Sequence, residues 1–116
     1  MSARPAPGTR LCPLEALSAD RGARGFEFRD GDDRFAGFVV RLGETVVGYV
    51  DSCPHTGWPL ATLPDRFLTR EKDLILCSGH GALFKVEDGR CVAGPCVGDR
   101  LTPWPVAVVD REVVTV

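Results

Sequence analysis

Two short stretches offer groups that could do chemistry. Cys53-Pro54-His55-Thr56-Gly57-Trp58 and Cys77-Ser78-Gly79-His80-Gly81 each supply one thiol and one imidazole, spaced C-x-H and C-x-x-H. The intervening gap from His55 to Cys77 is 21 residues, and the two stretches use both histidines of the chain. Two thiolates and two imidazoles in paired short spacings suit tetrahedral zinc or an iron–sulfur cluster. Buried cysteines often serve packing alone, but the pairing, the flanking glycines and the lack of any other histidine count against coincidence. The same count excludes other chemistry. With Cys53, His55, Cys77 and His80 assigned to a metal, no histidine remains for a Ser-His-Asp triad, a Cys–His pair or a separate 2-His-1-carboxylate iron site.

The elements that must position these loops read as strands. Gly25 to Arg29 places Phe26 and Phe28 on one face at period 2. Asp30 to Asp33 is a turn, Arg34 to Leu42 a strand, Gly43-Glu44 a tight turn and Thr45 to Val50 its hairpin partner. Leu11 to Leu17 reads as an extended lead-in, because nearby prolines disfavour a helix. Beyond the first motif, Pro59 to Pro64 is irregular and Asp65 to Asp73 a charged excursion. Leu74-Ile75-Leu76 is a buried strand running into Cys77. Ala82 to Val86 and Arg90 to Ala93 form a hairpin about Asp88-Gly89, and Trp104 to Val109 and Glu112 to Val116 form another about Asp110-Arg111. No long helix, repeat or low-complexity tract interrupts this series. Short strands punctuated so often by Gly and Pro predict an antiparallel all-β domain, sandwich or barrel-like, with both Cys/His motifs on loops at strand ends.

Composition narrows the class further. A chain of 116 residues suits one domain. Its 44% hydrophobic and 26% charged residues are those of an ordinary globular protein. A net charge of −2, with basic residues scattered between acids, gives no footprint for nucleic acid or anionic membrane. No apolar run approaches the roughly 20 residues of a membrane helix. The Pro- and Gly-rich residues 1–10 read as a flexible lead-in without the apolar core of a signal peptide, so a cytoplasmic location is expected. Five cysteines, an odd number, argue against a disulfide framework.

Cys53-Pro54-His55 with Cys77-Ser78-Gly79-His80-Gly81 resembles the ligand signature of the Rieske iron–sulfur proteins. In that class two His replace two Cys on one iron of a 2Fe–2S cluster. The resemblance covers about residues 11–116 and extends to Gly94-Pro95, which falls where Rieske domains carry a proline loop over the cluster. It implies a small cluster-binding part, about residues 51–96, inserted in a β-sandwich base domain. It also implies one 2Fe–2S cluster, with Cys53 and Cys77 on the buried iron and His55 and His80 on the outer one. Respiratory Rieske subunits carry a second Cys in each loop, joined as a disulfide; Trp58 and Gly79 stand at those positions here. They also carry a Ser and a Tyr whose hydroxyls bond the cluster region, where this chain has Ala82 and Phe84. Hydrogen bonds to cluster sulfurs stabilise the reduced state. Without them the potential is expected near the low end of the Rieske range, about −150 mV. The C-x-H-x-x-W form is more similar to the ferredoxins of ring-hydroxylating oxygenases and to small stand-alone bacterial Rieske proteins.

The resemblance therefore implies a one-electron carrier between a reductase, such as a flavin reductase, and an oxygenase or other acceptor, with no catalytic residue of its own and no nucleic-acid or membrane partner. Two alternatives use the same ligands: a cluster-bearing small subunit of a larger oxidoreductase, and a zinc-binding structural or interaction module. An iron–sulfur sensor lacks an appended DNA-binding element. Trp58 is expected to shield the cluster. Cys91 and Cys96, flanking the proline loop, and Cys12, at the first strand, are expected to be small packing residues.

Overall fold

In a computed structural model, residues 4–19, 21–52, 67–69, 74–77, 81–94 and 97–116 are described. They form nine antiparallel strands in three three-stranded sheets. The first sheet joins β1 (Arg10–Pro13), β9 (Glu112–Thr115) and β8 (Val106–Val109), with β9 central. The second is the meander β2 (Ala23–Asp30), β3 (Asp33–Leu42) and β4 (Thr45–Val50). The third, β5 (Leu74–Leu76), β6 (Leu83–Lys85) and β7 (Cys91–Ala93), lies in sequence between β4 and β8, as an insertion into the base that the other two sheets build.

β3 is the strand on which both halves of the molecule rest. Its apolar run reads as continuous because both faces are covered, while side chains still alternate across the sheet. Phe38 and Val40, fully buried, join Tyr49, Phe67, Ile75, Phe84, Val86 and Leu101 in the core beneath the third sheet. Val39, also fully buried, joins Cys12, Leu14, Leu17, Trp104 and Val113 in the core between the two base sheets. Trp104 is the keystone there. Its ring meets Phe35 edge-on at 5.2 Å and sits so close to Gly37 that a Cβ at that glycine would lie 2.5 Å from it.

The strand boundaries follow the turn chemistry. The β2–β3 register runs unbroken from Ala23↔Val40 to Asp30↔Asp33, and β3–β4 closes on Leu42↔Thr45. Three details differ from the sequence reading. Leu11 to Leu17 is not extended throughout: after β1, Leu14–Ala16 forms a 3₁₀ turn. The Arg41 guanidinium, almost buried, reaches into that turn and donates to Leu17 O at 3.0 Å and Leu14 O at 3.4 Å. A tertiary contact thus supplies the turn's stabilisation, which no local pattern reveals. The lead-in is tied down before residue 10, since Gly8 N–H donates to Thr115 O at 2.8 Å. Finally, the last hairpin begins at Val106 rather than Trp104, because Trp104 N–H donates to Gly48 O and the chain from 102 to 104 runs along β4 instead.

Candidate metal centre

Of the four expected ligands, Cys77 lies within the described residues; Cys53, His55 and His80 lie outside them, as do Trp58, Pro95 and Cys96. Cys77 follows β5 directly and is 1% exposed. The pairing Leu76↔Leu83 ends the β5–β6 ladder, and two further backbone bonds close the loop beyond it. Cys77 N–H donates to Ala82 O, and Gly81 N–H donates to Cys77 O, each at 2.9 Å. Cys77 and Gly81, the two ends of the second motif, are therefore fixed by main chain at one strand end.

A second layer backs this loop. β7 pairs with β6 through Phe84↔Cys91 and Leu83↔Ala93, with a register shift between them. That shift carries Gly94 against the Ala82 backbone. A Cβ built on Gly94 would lie 2.7 Å from Ala82 Cα, and the φ of +94° already disfavours an L side chain. Cys91, 2% exposed, donates its thiol to Ala93 O at 3.2 Å and fills the core beneath, as does Cys12 under the base sheets. Burial raises the Cys12 thiol pKa above its ordinary value, with Arg24 opposing, which leaves a poor ligand or nucleophile. Ala82 and Phe84 are fully buried beside Cys77 and carry no hydroxyl. The donor chemistry and the cradle fit an iron–sulfur group: a buried thiol at a strand end, whose backbone partner Ala82 packs against a glycine that leaves no room for a side chain.

The rest of the site is held from the base. Tyr49, on β4, donates its hydroxyl to Val86 O at 2.6 Å, and its ring packs where a Gly89 Cβ would collide at 2.7 Å. Burial pushes the Tyr49 pKa up to about 12, with Asp88 and Glu87 adding to the rise and Arg100 opposing it. Phe67 stacks on Phe38 with ring centroids 4.3 Å apart, and Leu76 N–H donates to Phe67 O at 2.9 Å. Neither Tyr49 nor the Gly94–Ala82 contact is apparent in the sequence as part of the site. The signals available are a lone tyrosine in a strand and a glycine before proline.

The profile of the Rieske [2Fe–2S] domain family matches residues 11–110. The chain belongs to the Rieske family. Among solved structures, it resembles the ferredoxin of carbazole 1,9a-dioxygenase from Nocardioides aromaticivorans IC177, with 25% identity, a TM-score of 0.69 and coverage of 95% of this chain and 97% of that one. A complex of reduced oxygenase and oxidised ferredoxin in carbazole 1,9a-dioxygenase matches at 27% identity and a TM-score of 0.67, covering 90% and 96%. A Sphingomonas yanoikuyae B1 ferredoxin shares the fold at 21% identity and a TM-score of 0.66, covering 93% and 96%. No curated protein matches. The cofactor of this Rieske domain is a 2Fe–2S cluster, and its function is one-electron transfer as a carrier rather than as an enzyme. The zinc-binding module that the donor set alone left open is set aside by the family match.

Proposed function

We propose that Cys53, His55, Cys77 and His80 hold the cluster, with the two thiolates on the inner iron and the two imidazoles on the outer one. The observation that carries this reading is the placement of Cys77, a buried thiol on a loop closed by Gly81 and Ala82 and backed by Gly94. When bound, the cluster takes up and releases one electron. The chain's own residues do the rest. Cys77 binds from a fixed strand end, and buried Ala82, Phe84 and Ile75 keep its surroundings apolar. Imidazoles are neutral where thiolates are charged, so this ligand set lowers the cost of adding an electron.

The electron's acceptor is proposed to be an oxygenase, supplied in turn by a flavin reductase or similar donor. The likeness to a ferredoxin seen in complex with its oxygenase supports this. Residues 11–116 are proposed as a single domain with the cluster-binding part at about 51–96, which agrees with the position of β5–β7 between the base strands, and with 1–10 as a lead-in. A cytoplasmic setting suits the buried thiols of Cys12, Cys77 and Cys91. Among the described residues, no helix is long and apolar enough to cross a membrane.

The test is metal and sulfide analysis with visible spectra of variants prepared without oxygen. Cys53→Ser and Cys77→Ser are expected to abolish cluster assembly. His55→Ala and His80→Ala are expected to lose the Rieske absorbance. Cys91→Ser is expected to retain a full cluster, and its loss there would show that a ligand has been misassigned.

A further inference from the structure

The third sheet and the chain beside it carry an outward row of cations that makes no ion pair among the described residues. Leu83 and Lys85 alternate with buried Phe84, Arg90 and Val92 alternate with buried Cys91, and Arg100 precedes buried Leu101. Backbone pairing lays the cations side by side. Lys85 N–H donates to Arg90 O at 2.9 Å, and Arg90 bridges Arg100 on the next stretch of chain. Like charges directly opposite one another on a sheet are destabilising. Nevertheless, none of the three makes an ion pair among the described residues, whereas Arg21, Arg29, Arg34, Arg41 and Arg111 each face a glutamate. Among the described residues, Glu87 pairs with Arg21, and Asp88 Oδ1 accepts the Arg90 backbone N–H at 2.9 Å.

The position of this row matters as much as its charge. Lys85 is three residues from Ala82, so the row lies about 10 Å along β6 from the base of the Cys77 loop. Between them, half-buried Leu76 and Leu83 and exposed Val92 make the face apolar. A cationic row beside an apolar strip, on the sheet that carries the site, has the composition of a docking surface for a rim of carboxylates.

We infer that Lys85, Arg90 and Arg100 form the docking surface for a protein redox partner that presents carboxylates, and guide it to the cluster end of the third sheet. The inference rests on the electron-carrier reading above. Its occupant is a protein because, among the described residues, the row is short, three cations on three adjoining stretches of chain, and continues into apolar side chains rather than into further cations.

The experiment compares the triple variant Lys85→Ala/Arg90→Ala/Arg100→Ala with a control that removes equal charge from the base, Arg10→Ala/Arg29→Ala/Arg111→Ala. Stopped-flow mixing follows the reduced cluster of each as it gives one electron to ferricyanide, an anion, or to hexaamminecobalt(III), a cation. At low ionic strength the ratio of the anionic to the cationic rate constant is expected to fall about tenfold in the triple variant. The control should stay close to wild type, and all three proteins should converge near 1 M salt, where screening acts within about 3 Å. Calorimetric binding of poly-L-glutamate, which needs no electron transfer, should be lost in the triple variant alone. Equal ratios in the two variants, or an oligothymidylate of matched charge binding more tightly than poly-L-glutamate, would overturn the inference. A wild-type protein without cluster absorbance would count against the electron-carrier reading instead, and the poly-L-glutamate arm would still decide the docking surface.

Discussion

Gly94 sits where β7 leaves the third sheet, and its missing side chain lets two segments touch. A methyl group there meets Ala82 Cα at 2.7 Å, and Ala82 O is the acceptor for the Cys77 N–H. The collision passes through one residue to the proposed ligand. Gly94→Ala is expected to shift the electron spin resonance g-values of the reduced protein or lower its iron content by about half or more. Gly98→Ala is the matched control: its φ of +101° carries similar backbone strain, but nothing lies within 4 Å. Equal damage in both variants would mean that strain, not contact, is responsible. Ala82 and Phe84 supply a second prediction at this scale. Because Ala82 and Phe84 offer no hydroxyl, the midpoint measured by protein-film voltammetry is expected at about −150 mV, and Phe84→Tyr should raise it. A midpoint above about +200 mV would reject the argument. The paired spacings of Cys53, His55, Cys77 and His80 are readable in sequence because ligand chemistry imposes them locally. The Gly94 contact is not, because it depends on a register shift between strands that no local pattern encodes.

Tyr49 acts between elements. It fastens the turn of the β6–β7 hairpin to the base through the Val86 carbonyl, while the opposite end of that hairpin carries Ala82 and Gly94. Tyr49→Phe leaves a buried carbonyl without its donor, at an expected cost of about 1–3 kcal/mol by chemical denaturation. The pH dependence has a definite sign. An unfolded tyrosine titrates near pH 10, whereas the folded side chain titrates at about 12, so folding favours the neutral form. Its contribution is complete below about pH 10 and is lost as pH rises towards 12. Wild type should therefore lose stability across that window more steeply than Tyr49→Phe, and parallel profiles would contradict the assignment. The hairpins themselves follow from Asp30 to Asp33 and Gly43-Glu44, where turn residues interrupt alternating strands. The 3₁₀ turn at Leu14 is illegible by comparison, because Arg41, distant in sequence, satisfies its carbonyls.

The molecule as a whole is a base of two sheets with a third sheet set into it, and charge is distributed differently over the two parts. On the base Arg29, Arg34, Arg41 and Arg111 are paired with glutamates, whereas Lys85, Arg90 and Arg100 form a row that makes no ion pair among the described residues. A net charge of −2 and interleaved acids hide that row in the sequence; only strand pairing assembles it. The central claim remains the donor set: two thiolates and two imidazoles on one 2Fe–2S cluster. It is tested most directly by pulsed electron spin resonance of the reduced protein. The account predicts nitrogen couplings from two imidazoles in the wild type, and loss of this signature in His55→Ala and in His80→Ala. An iron–sulfur signal without nitrogen coupling, or a colourless protein holding one zinc, would contradict it.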